Sequence, residues 1–174
     1  MSRILLLRHG QSEWNAQGRW QGLGDPSLSA LGRAQAERAA ERLASEGIER
    51  IVASDLARAF ETAEIVGARL GLAVERDPRW RERDIDIWTG LTRESIEARW
   101  PAEYARFRSH DEHARPGGGE SDAMLRARAR EALAALRARY PGARVLVVAH
   151  RGIARMLAPA TPLGNAEWCA IEGE

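Results

Sequence analysis

Lysine is absent from this chain of 174 residues, and all 26 basic residues are arginines. A Walker-type phosphate loop depends on a lysine that reaches the phosphates of a nucleotide. Schiff-base enzymes and enzymes with an amine nucleophile need a lysine as well. The absence of lysine therefore excludes these three classes of site.

Cysteine and long apolar runs are also scarce. The single Cys169 cannot form a disulfide within the chain, which is typical of proteins from a reducing compartment. No segment approaches the ~20 apolar residues that a transmembrane helix needs, and the first apolar run is too short for a signal peptide. We therefore expect a cytoplasmic protein that does not contact the membrane.

A strong excess of charge of one sign is lacking too. The 26 basic and 25 acidic residues leave a formal net charge of +1, which argues against a nucleic-acid partner. A chain of 174 residues is long enough to bury a core, and its 44% of hydrophobic residues is typical of a globular protein. We expect a single domain over residues 1–174. The expected partner is a small substrate, and the expected assembly is a monomer or a homodimer.

Two apolar runs of the chain end in a histidine. Leu5–Leu7 precedes Arg8 and His9, and Val145–Ala149 precedes His150, with a glycine close behind each histidine. Such runs predict buried strands, and ligands of open α/β sheets bind beyond the carboxyl ends of the strands. A histidine at a strand end can also merely cap a carbonyl group. The repeated arrangement favours an anion site instead, in which Arg8 offers a bidentate fork and His9 a nucleophile or an acid–base group.

Strand-like and helix-like segments alternate along the rest of the chain. The pattern predicts helices over residues 29–45, 56–70, 121–140 and 150–157, one or two helices over 92–109, and strands over 48–54, 73–75 and 168–171. We expect Leu31 and Met124 to face the core, Ser54 or Asp55 to cap the second helix, and residues 11–25 to form a functional loop. The alternation predicts an α/β fold with a mostly parallel sheet.

Arg58 is the candidate phosphate ligand of the second predicted helix. It would lie in the first turn, where backbone amides and the helix dipole favour an anion. The alternative is a surface salt bridge to Asp55 or Glu61. Because the helix follows a strand, phosphate binding is the favoured interpretation.

Five motifs together resemble the histidine phosphatase superfamily, the phosphoglycerate-mutase-like clan. They are Arg8-His9-Gly10 with Ser12 and Asn15, Ser54-Asp55-Leu56-x-Arg58-Ala59 with Thr62-Ala63, Arg81-Glu82, Pro116-Gly117-Gly118-Gly119-Glu120-Ser121, and His150-x-Gly152. They occur in the order seen in that superfamily and cover about residues 3–157. The resemblance implies a three-layer sandwich, helices on both faces of the sheet, and a small cap-like insertion over the site at about residues 83–120.

The resemblance also implies roles for individual residues. His9 would attack phosphorus, and Arg8, Arg58 and His150 would surround the phosphoryl group. The two arginines should keep His9 neutral by lowering its pKa. Glu82 would be the general acid, in preference to Asp84, which lies two residues further along.

The loop after the first strand would contribute further hydrogen-bond donors, namely Asn15, Gln21 and the amide of Gly22. The path would run through a phosphohistidine with no metal and no cofactor. His110 and His113 flank two acidic residues and could be drawn as a metal site, but a solvated loop is the better interpretation, since nothing else completes the ligand set.

The chain departs from the usual pattern of the superfamily at a few positions. Asp86 stands where related sequences usually have glycine and Thr89 where they often have glutamate, while Ala149 and Arg151 replace the usual serine and glycine beside the second histidine. Asp86 would add negative charge near Glu82. Arg151 would bring a third cation to the rim of the pocket or point to solvent.

The implied function is a metal-independent phosphomonoester hydrolase of the phosphatase branch. One alternative within the superfamily is a phosphoglycerate mutase, which must shield its phosphorylated intermediate from water. Only about thirty residues separate Glu82 from Pro116, and the loop from Gly18 to Gly22 resembles the phosphatase branch. A second alternative is a non-catalytic phosphate-binding module, against which the complete set of presumed site residues argues.

Overall fold

The computed structural model of the protein describes residues 3–171. Its elements in chain order are β1 (Arg3–Arg8), α1 (Glu13–Ala16), α2 (Ala30–Leu43), β2 (Arg50–Ala53), α3 (Ala57–Leu70), β3 (Val74–Arg76), α4 (Arg93–Arg99), α5 (Pro101–Arg108), α6 (Asp122–Arg139), β4 (Arg144–Ala149), α7 (Arg151–Leu157) and β5 (Trp168–Ile171). Short 3₁₀ turns cover Pro78–Trp80, Asp86–Trp88 and Pro116–Gly118. Within the described range, no helix is both long enough and apolar enough to cross a bilayer.

The sheet brings the two strand-end histidines to one edge. Its strand order is β3-β2-β4-β1-β5, and only β5 runs antiparallel to its neighbour. The central strands β1 and β4 pair in parallel up to Arg8 and Ala149. His9 and His150 each follow the last residue of this ladder, so both lie at the carboxyl edge of the sheet, where a ligand can reach them.

Alternate residues of the central strands face two different apolar layers. Leu5 and Leu7 pack with buried residues of α2 and α3, whereas Ile4 and Leu6 pack with buried residues of α6 and α7. This alternation is the period of a strand, and both faces are apolar because both are covered by helices. The predicted three-layer α/β sandwich with a mostly parallel sheet is confirmed.

Two side chains predicted to face the core do not. Leu31 and Met124 are 49% and 47% exposed. The buried stripe of each helix lies one residue further along. It consists of Gly32, Ala36, Ala39, Ala40 and Leu43 in α2, and it includes Leu125, Ala129, Ala132, Leu133 and Leu136 in α6. In each helix the next residue, Gly32 or Leu125, takes the buried position, and the side chain before it is left in solvent.

The start of α3 and the loop before α2 also differ from the prediction. The cap residue of α3 is Leu56, whose amide donates to Ser54 Oγ at 3.3 Å, and the next amide donates to Asp25 at 2.5 Å. An acceptor from another part of the chain thus replaces the local cap. The segment 11–25 contains the short helix α1, capped by Ser12, where a loop without structure was expected.

The segment 83–120 has a small apolar cluster of its own. Ile85, Trp88, Ile96 and Tyr104 are buried together, and Trp20 packs against them from the loop after β1. Pro101 separates α4 from α5, as the sequence indicates. The cluster therefore ties this segment to the loop that follows the first histidine.

Two glycines let the chain after β1 lie against the start of α2. A Cβ atom on Gly10 would come within 2.4 Å of the carbonyl oxygen of Gly32, and a Cβ atom on Gly32 would come within 1.9 Å of the carbonyl oxygen of Gln11. Both obstacles are backbone atoms, which cannot move aside as a flexible side chain can. The contact holds the residues around His9 at a fixed distance from α2.

We expect Gly32→Ala to destabilise the protein by roughly 1–3 kcal/mol, because the added methyl group overlaps the backbone of Gln11. The sign of the change in the free energy of unfolding is informative, since alanine is otherwise favoured over glycine in a helix by about 1 kcal/mol. The free energy of unfolding is measured by urea titration. The matched control is Glu37→Ala at an exposed position of the same helix, which should change it by less than about 0.5 kcal/mol. An unchanged or raised stability of Gly32→Ala would contradict the close contact.

Candidate active site

A cavity of about 280 Å³ opens beside the two strand-end histidines. Six of the predicted site residues line it, namely Arg8, His9, Asn15, Gln21, Gly22 and Glu82. The other two, Arg58 and His150, are fully buried close to His9. Five further arginines also line the cavity, Arg19, Arg83, Arg108, Arg151 and Arg155. With Glu82 as the acidic side chain of this lining, the cavity is strongly cationic.

His9 is held in the tautomer that a nucleophile requires. Its Nδ1 atom lies 2.6 Å from the carbonyl oxygen of Gly10. A carbonyl oxygen can only accept, so Nδ1 carries the proton and the lone pair remains on Nε2. Burial lowers the pKa of His9 well below its usual value, with further contributions from Arg58 and Arg8. The two arginines therefore act as expected, but the loss of solvent is the larger cause.

His150 lies beside His9, with ring centroids 5.2 Å apart. Its Nε2 atom is 2.8 Å from Ser54 Oγ, and this hydroxyl also accepts the amide of Leu56. If the hydroxyl donates its proton to Nε2, the ring proton lies on Nδ1. Burial and then Arg58 lower the pKa of His150 well below its usual value.

Arg58 is fully buried and bonds to backbone carbonyls. Its Nη1 atom donates to Gly24 at 2.7 Å and its Nη2 atom to Gly22 at 2.9 Å. The alternative of a surface salt bridge is therefore wrong. Burial lowers the pKa of Arg58 to about 10, so the group stays charged at neutral pH. Gly22 contributes its carbonyl as an acceptor for Arg58, whereas the sequence suggested its amide as a donor. The φ of +48° at this position and the nearby Ile85 side chain both favour glycine.

Three buried nitrogen atoms around His9 have no hydrogen-bond partner among the described residues. They are Nε of Arg8, Nε of Arg58 and Nδ1 of His150. Leaving a buried donor unpaired costs about 1–3 kcal/mol, and more when the group is charged. The grouping of three such nitrogen atoms around His9 suits an acceptor with several oxygens.

The segment before β5 fixes the end of β1. Arg8 Nη1 donates to the carbonyl of Leu163 at 2.9 Å, and Asn165 Nδ2 donates to the carbonyl of His9 at 3.1 Å. The amide of Ala166 bonds to the carbonyls of both Arg8 and His9. Sequence reasoning missed these residues, because nothing in a proline-containing loop indicates which strand end it will contact.

Asn15 and Gln21 present their amide nitrogens as donors. Asn15 Oδ1 accepts the amide of Ser12 at 3.1 Å, and Gln21 Oε1 accepts the hydroxyl of Ser12 at 2.6 Å. The oxygen of each side-chain amide is thereby engaged, which leaves its NH₂ group for a ligand in the cavity. A single serine orients both side chains.

Glu82 is held at the cavity wall by two backbone amides. Its Oε1 atom accepts the amide of Arg83 at 2.7 Å, and its Oε2 atom accepts the amide of Gly152 at 3.1 Å. A Cβ atom at position 152 would lie 2.1 Å from Oε1, so only glycine allows this approach. Asp84, the alternative acid, is not part of the cavity lining.

Arg128 of α6 fixes the backbone that carries Glu82. Its guanidinium donates to the carbonyls of Arg79, Arg81 and Glu82 at 2.8–3.2 Å and forms a two-pronged pair with Glu120. Glu120 in turn accepts the amide of Asp84. These bonds give the irregular segment 79–84 one backbone position, since a rigid guanidinium satisfies three carbonyls at once.

Two of the positions at which the chain departs from the usual pattern of the superfamily that it resembles have a structural explanation. Asp86 has a φ of +39°, in the left-handed region that favours glycine, and its side chain is exposed outside the cavity lining. Arg151 lines the cavity and, after burial, is the next cause that lowers the pKa of Arg8. It therefore supplies the third cation that the sequence suggested.

The segment with two histidines is exposed and bonded to arginines. Asp111 pairs with Arg106, and Glu112 pairs with Arg126 at 3.2 Å. Within residues 3–171, no group of three histidine, cysteine or acidic side chains is arranged to hold a metal ion. His110 and His113 are both exposed and lie in the loop that follows α5.

The same arrangement of sequence and fold occurs in known proteins. Residues 4–170 match the family described as the histidine phosphatase superfamily (branch 1). Glucosyl-3-phosphoglycerate phosphatase of Mycobacterium tuberculosis is 42% identical, over 98% of this chain and 80% of its own. Phosphoserine phosphatase 1 of Hydrogenobacter thermophilus is 35% identical, over 86% and 71%. A mycobacterial glucosyl-3-phosphoglycerate phosphatase solved with VO₃ superposes with a TM-score of 0.90, at 39% identity over 99% of this chain and 91% of that one.

We expect the stability to fall as the pH is lowered from about 6.5 to about 5. In the unfolded chain each histidine takes up a proton near pH 6.5, whereas the lowered pKa of His9 and of His150 keeps both neutral in the folded protein. The unfolded state then binds more protons, at a slope of up to about 1.4 kcal/mol per pH unit for each histidine.

The free energy of unfolding is measured by urea titration over this interval. His9→Gln should remove about half of the slope, and His113→Gln, at an exposed histidine, should leave it unchanged. A constant or rising stability on acidification would contradict a neutral buried pair.

Proposed function

The chain belongs to the histidine phosphatase superfamily, and from this membership we propose that it hydrolyses phosphomonoesters of small metabolites through a phosphohistidine at His9. The single observation that carries the proposal is the set of buried donors without partners around a neutral histidine. Arg8, Arg58 and His150 each contribute one such donor. A phosphoryl group in its trigonal transition state has three equatorial oxygens, which is one acceptor for each donor.

The first half of the reaction forms the phosphohistidine. The lone pair on His9 Nε2 attacks phosphorus, and the bond from phosphorus to the ester oxygen breaks. The positive charge that develops on the ring is stabilised by the hydrogen bond from Nδ1 to the carbonyl of Gly10. Arg8 and Arg58 stay charged throughout and act on the phosphoryl oxygens without reorganising, because backbone carbonyls hold both of them.

Glu82 moves the protons in this scheme. Its protonated carboxyl group gives a proton to the departing alkoxide, and the resulting carboxylate takes one from the water that attacks the phosphohistidine. The bond from phosphorus to Nε2 then breaks, which releases inorganic phosphate and restores both residues. The amides of Arg83 and Gly152 hold the carboxyl group at the wall of the cavity.

The size of the cavity and the names of the relatives support a small substrate. A volume of about 280 Å³ is just below the roughly 300–1,000 Å³ of small-molecule pockets. The relatives named above include a phosphatase of glucosyl-3-phosphoglycerate and a phosphoserine phosphatase. A small phosphorylated metabolite is therefore the proposed substrate class.

We expect the protein to release phosphate from p-nitrophenyl phosphate in the presence of EDTA and to lose this activity on His9→Ala. A label that is stable in alkali and labile in acid, as a phosphohistidine is, should be trapped on the wild type after rapid quenching and be missing from the variant. His113→Ala, at an exposed histidine, is the matched control and should keep both properties. Labelling of a protein without His9 would refute the proposal. Loss of activity with EDTA and rescue by Mg²⁺ would refute the metal-independent path.

A mutase is distinguished in the same samples by its product. With 3-phosphoglycerate, a hydrolase releases inorganic phosphate in proportion to the substrate consumed. Formation of 2-phosphoglycerate without release of phosphate would identify a mutase instead.

Glu82→Gln should slow the hydrolysis of alkyl phosphates about 10²–10⁴-fold, because their leaving group needs a proton. The loss should be much smaller with p-nitrophenyl phosphate, whose leaving group is stable as an anion. Arg58→Ala should slow both substrates about equally, since it acts on the phosphoryl group that they share. Asp84→Asn, two residues from the proposed acid and outside the cavity lining, is the matched control. Equal losses for both substrates in Glu82→Gln would contradict its role as the acid.

A further inference from the structure

A second cationic centre lies in the cavity beyond the phosphate site. Arg83 and Arg155 both line the cavity, and both are hydrogen-bonded to the carboxylate of Asp122. Arg155 Nη2 reaches the two oxygens of Asp122 at 2.8 and 3.1 Å. Asp122 as a residue is only 9% exposed and Arg83 only 6%. This cluster is thus built into the protein and is not a loose surface pair.

The position of the cluster separates it from the phosphoryl group. His150 is the residue that caps α7, and Arg155 lies five residues along that helix, a rise of about 7 Å. Glu82, which precedes Arg83 in the chain, is bonded to the amide of Gly152 in the first turn of α7, on the phosphate side of Arg155 along this helix. A group bound at the cluster would therefore belong to the leaving group of the ester.

The guanidinium of Arg83 is oriented from two sides. Asp122 accepts from its Nη2 atom, and its Cζ atom lies 5.6 Å from the centre of the Phe107 ring. Within residues 3–171, the hydrogen bonds of the Arg83 and Arg155 guanidinium groups both use Nη2 alone. The remaining N–H groups are donors for a ligand, held in a fixed plane that suits a planar anion.

The charge of the cluster selects the kind of anion. Two arginines and one aspartate leave a net charge of +1, and Asp122 offsets part of the cost of burying Arg83. A carboxylate balances that charge, and its planar shape matches the plane of the guanidinium donors. We propose that Arg83 and Arg155, positioned by Asp122, bind a carboxylate group of the substrate's leaving group. The inference rests on the proposed phosphatase function and names the substrate class for it.

The test compares two esters that differ only in this group. In 3-phosphoglycerate the carboxylate stands where sn-glycerol 3-phosphate has a hydroxymethyl group. Binding is measured by titration calorimetry on the His9→Gln variant, so that neither ester is consumed. The first ester should bind about tenfold or more tightly than the second, as a charge-assisted hydrogen bond predicts.

Substitution of the arginines on the same background should remove this preference. Arg155→Gln and Arg83→Gln should weaken 3-phosphoglycerate about tenfold or more and change glycerol 3-phosphate by less than about twofold. Arg130→Gln, at an exposed position of α6, removes the same charge away from the cavity and should preserve the preference. Because the side chain of Arg155 is 38% exposed, we expect Arg155→Gln to fold. This variant decides the question if Arg83→Gln does not fold.

The outcomes separate the inference from the function on which it rests. Equal affinities of the two esters, or equal losses of both in Arg155→Gln, would overturn the carboxylate site and leave the phosphatase intact. Failure of both esters to bind would overturn the phosphate site itself, and the inference with it.

Discussion

Burial of the positive charge of Arg58 is the constraint on which the rest of the site depends. Removing a guanidinium from water costs several kcal/mol unless other groups replace the solvent. Here the carbonyls of Gly22 and Gly24 do so, and they are neutral dipoles that leave the charge in place. The same charge lowers the pKa of His9 and of His150 after burial itself. Burial and this one cation together keep two imidazoles neutral, and the cation prepares the site for an anion.

This arrangement explains why arginines near the site donate hydrogen bonds to backbone carbonyl groups. Arg58 requires two glycine carbonyls aimed inward, and the turn that presents them needs the positive φ of Gly22. Arg128 similarly fixes the segment of Glu82 through carbonyl groups. These functional groups lie on loops. In a helix or strand the backbone groups bond to one another, whereas in these loops buried side chains provide the partners that order the backbone.

The sequence predicts the centre of the site better than its surroundings. His9 and His150 could be found because each ends an apolar run, and parallel strands necessarily bring such ends together. Arg83 and Arg155 could not, since an arginine in a charged run is usually a surface residue, and only the fold shows that Asp122 faces both. Local patterns report which elements form, whereas contacts between distant loops depend on how those elements finally pack.

The order in which the chain is synthesised gives the late segment 163–167 a particular consequence. Arg8 and His9 lie near the amino end, while their partners Leu163 and Asn165 follow 155 and 156 residues later. At translation rates of about 5–20 residues per second, these partners leave the ribosome roughly 8–30 seconds after the histidine. A nascent chain thus carries Arg8 and His9 without these partners until segment 163–167 has been made, and a ribosome that stalls before this segment leaves a product in which these contacts at the end of β1 are missing.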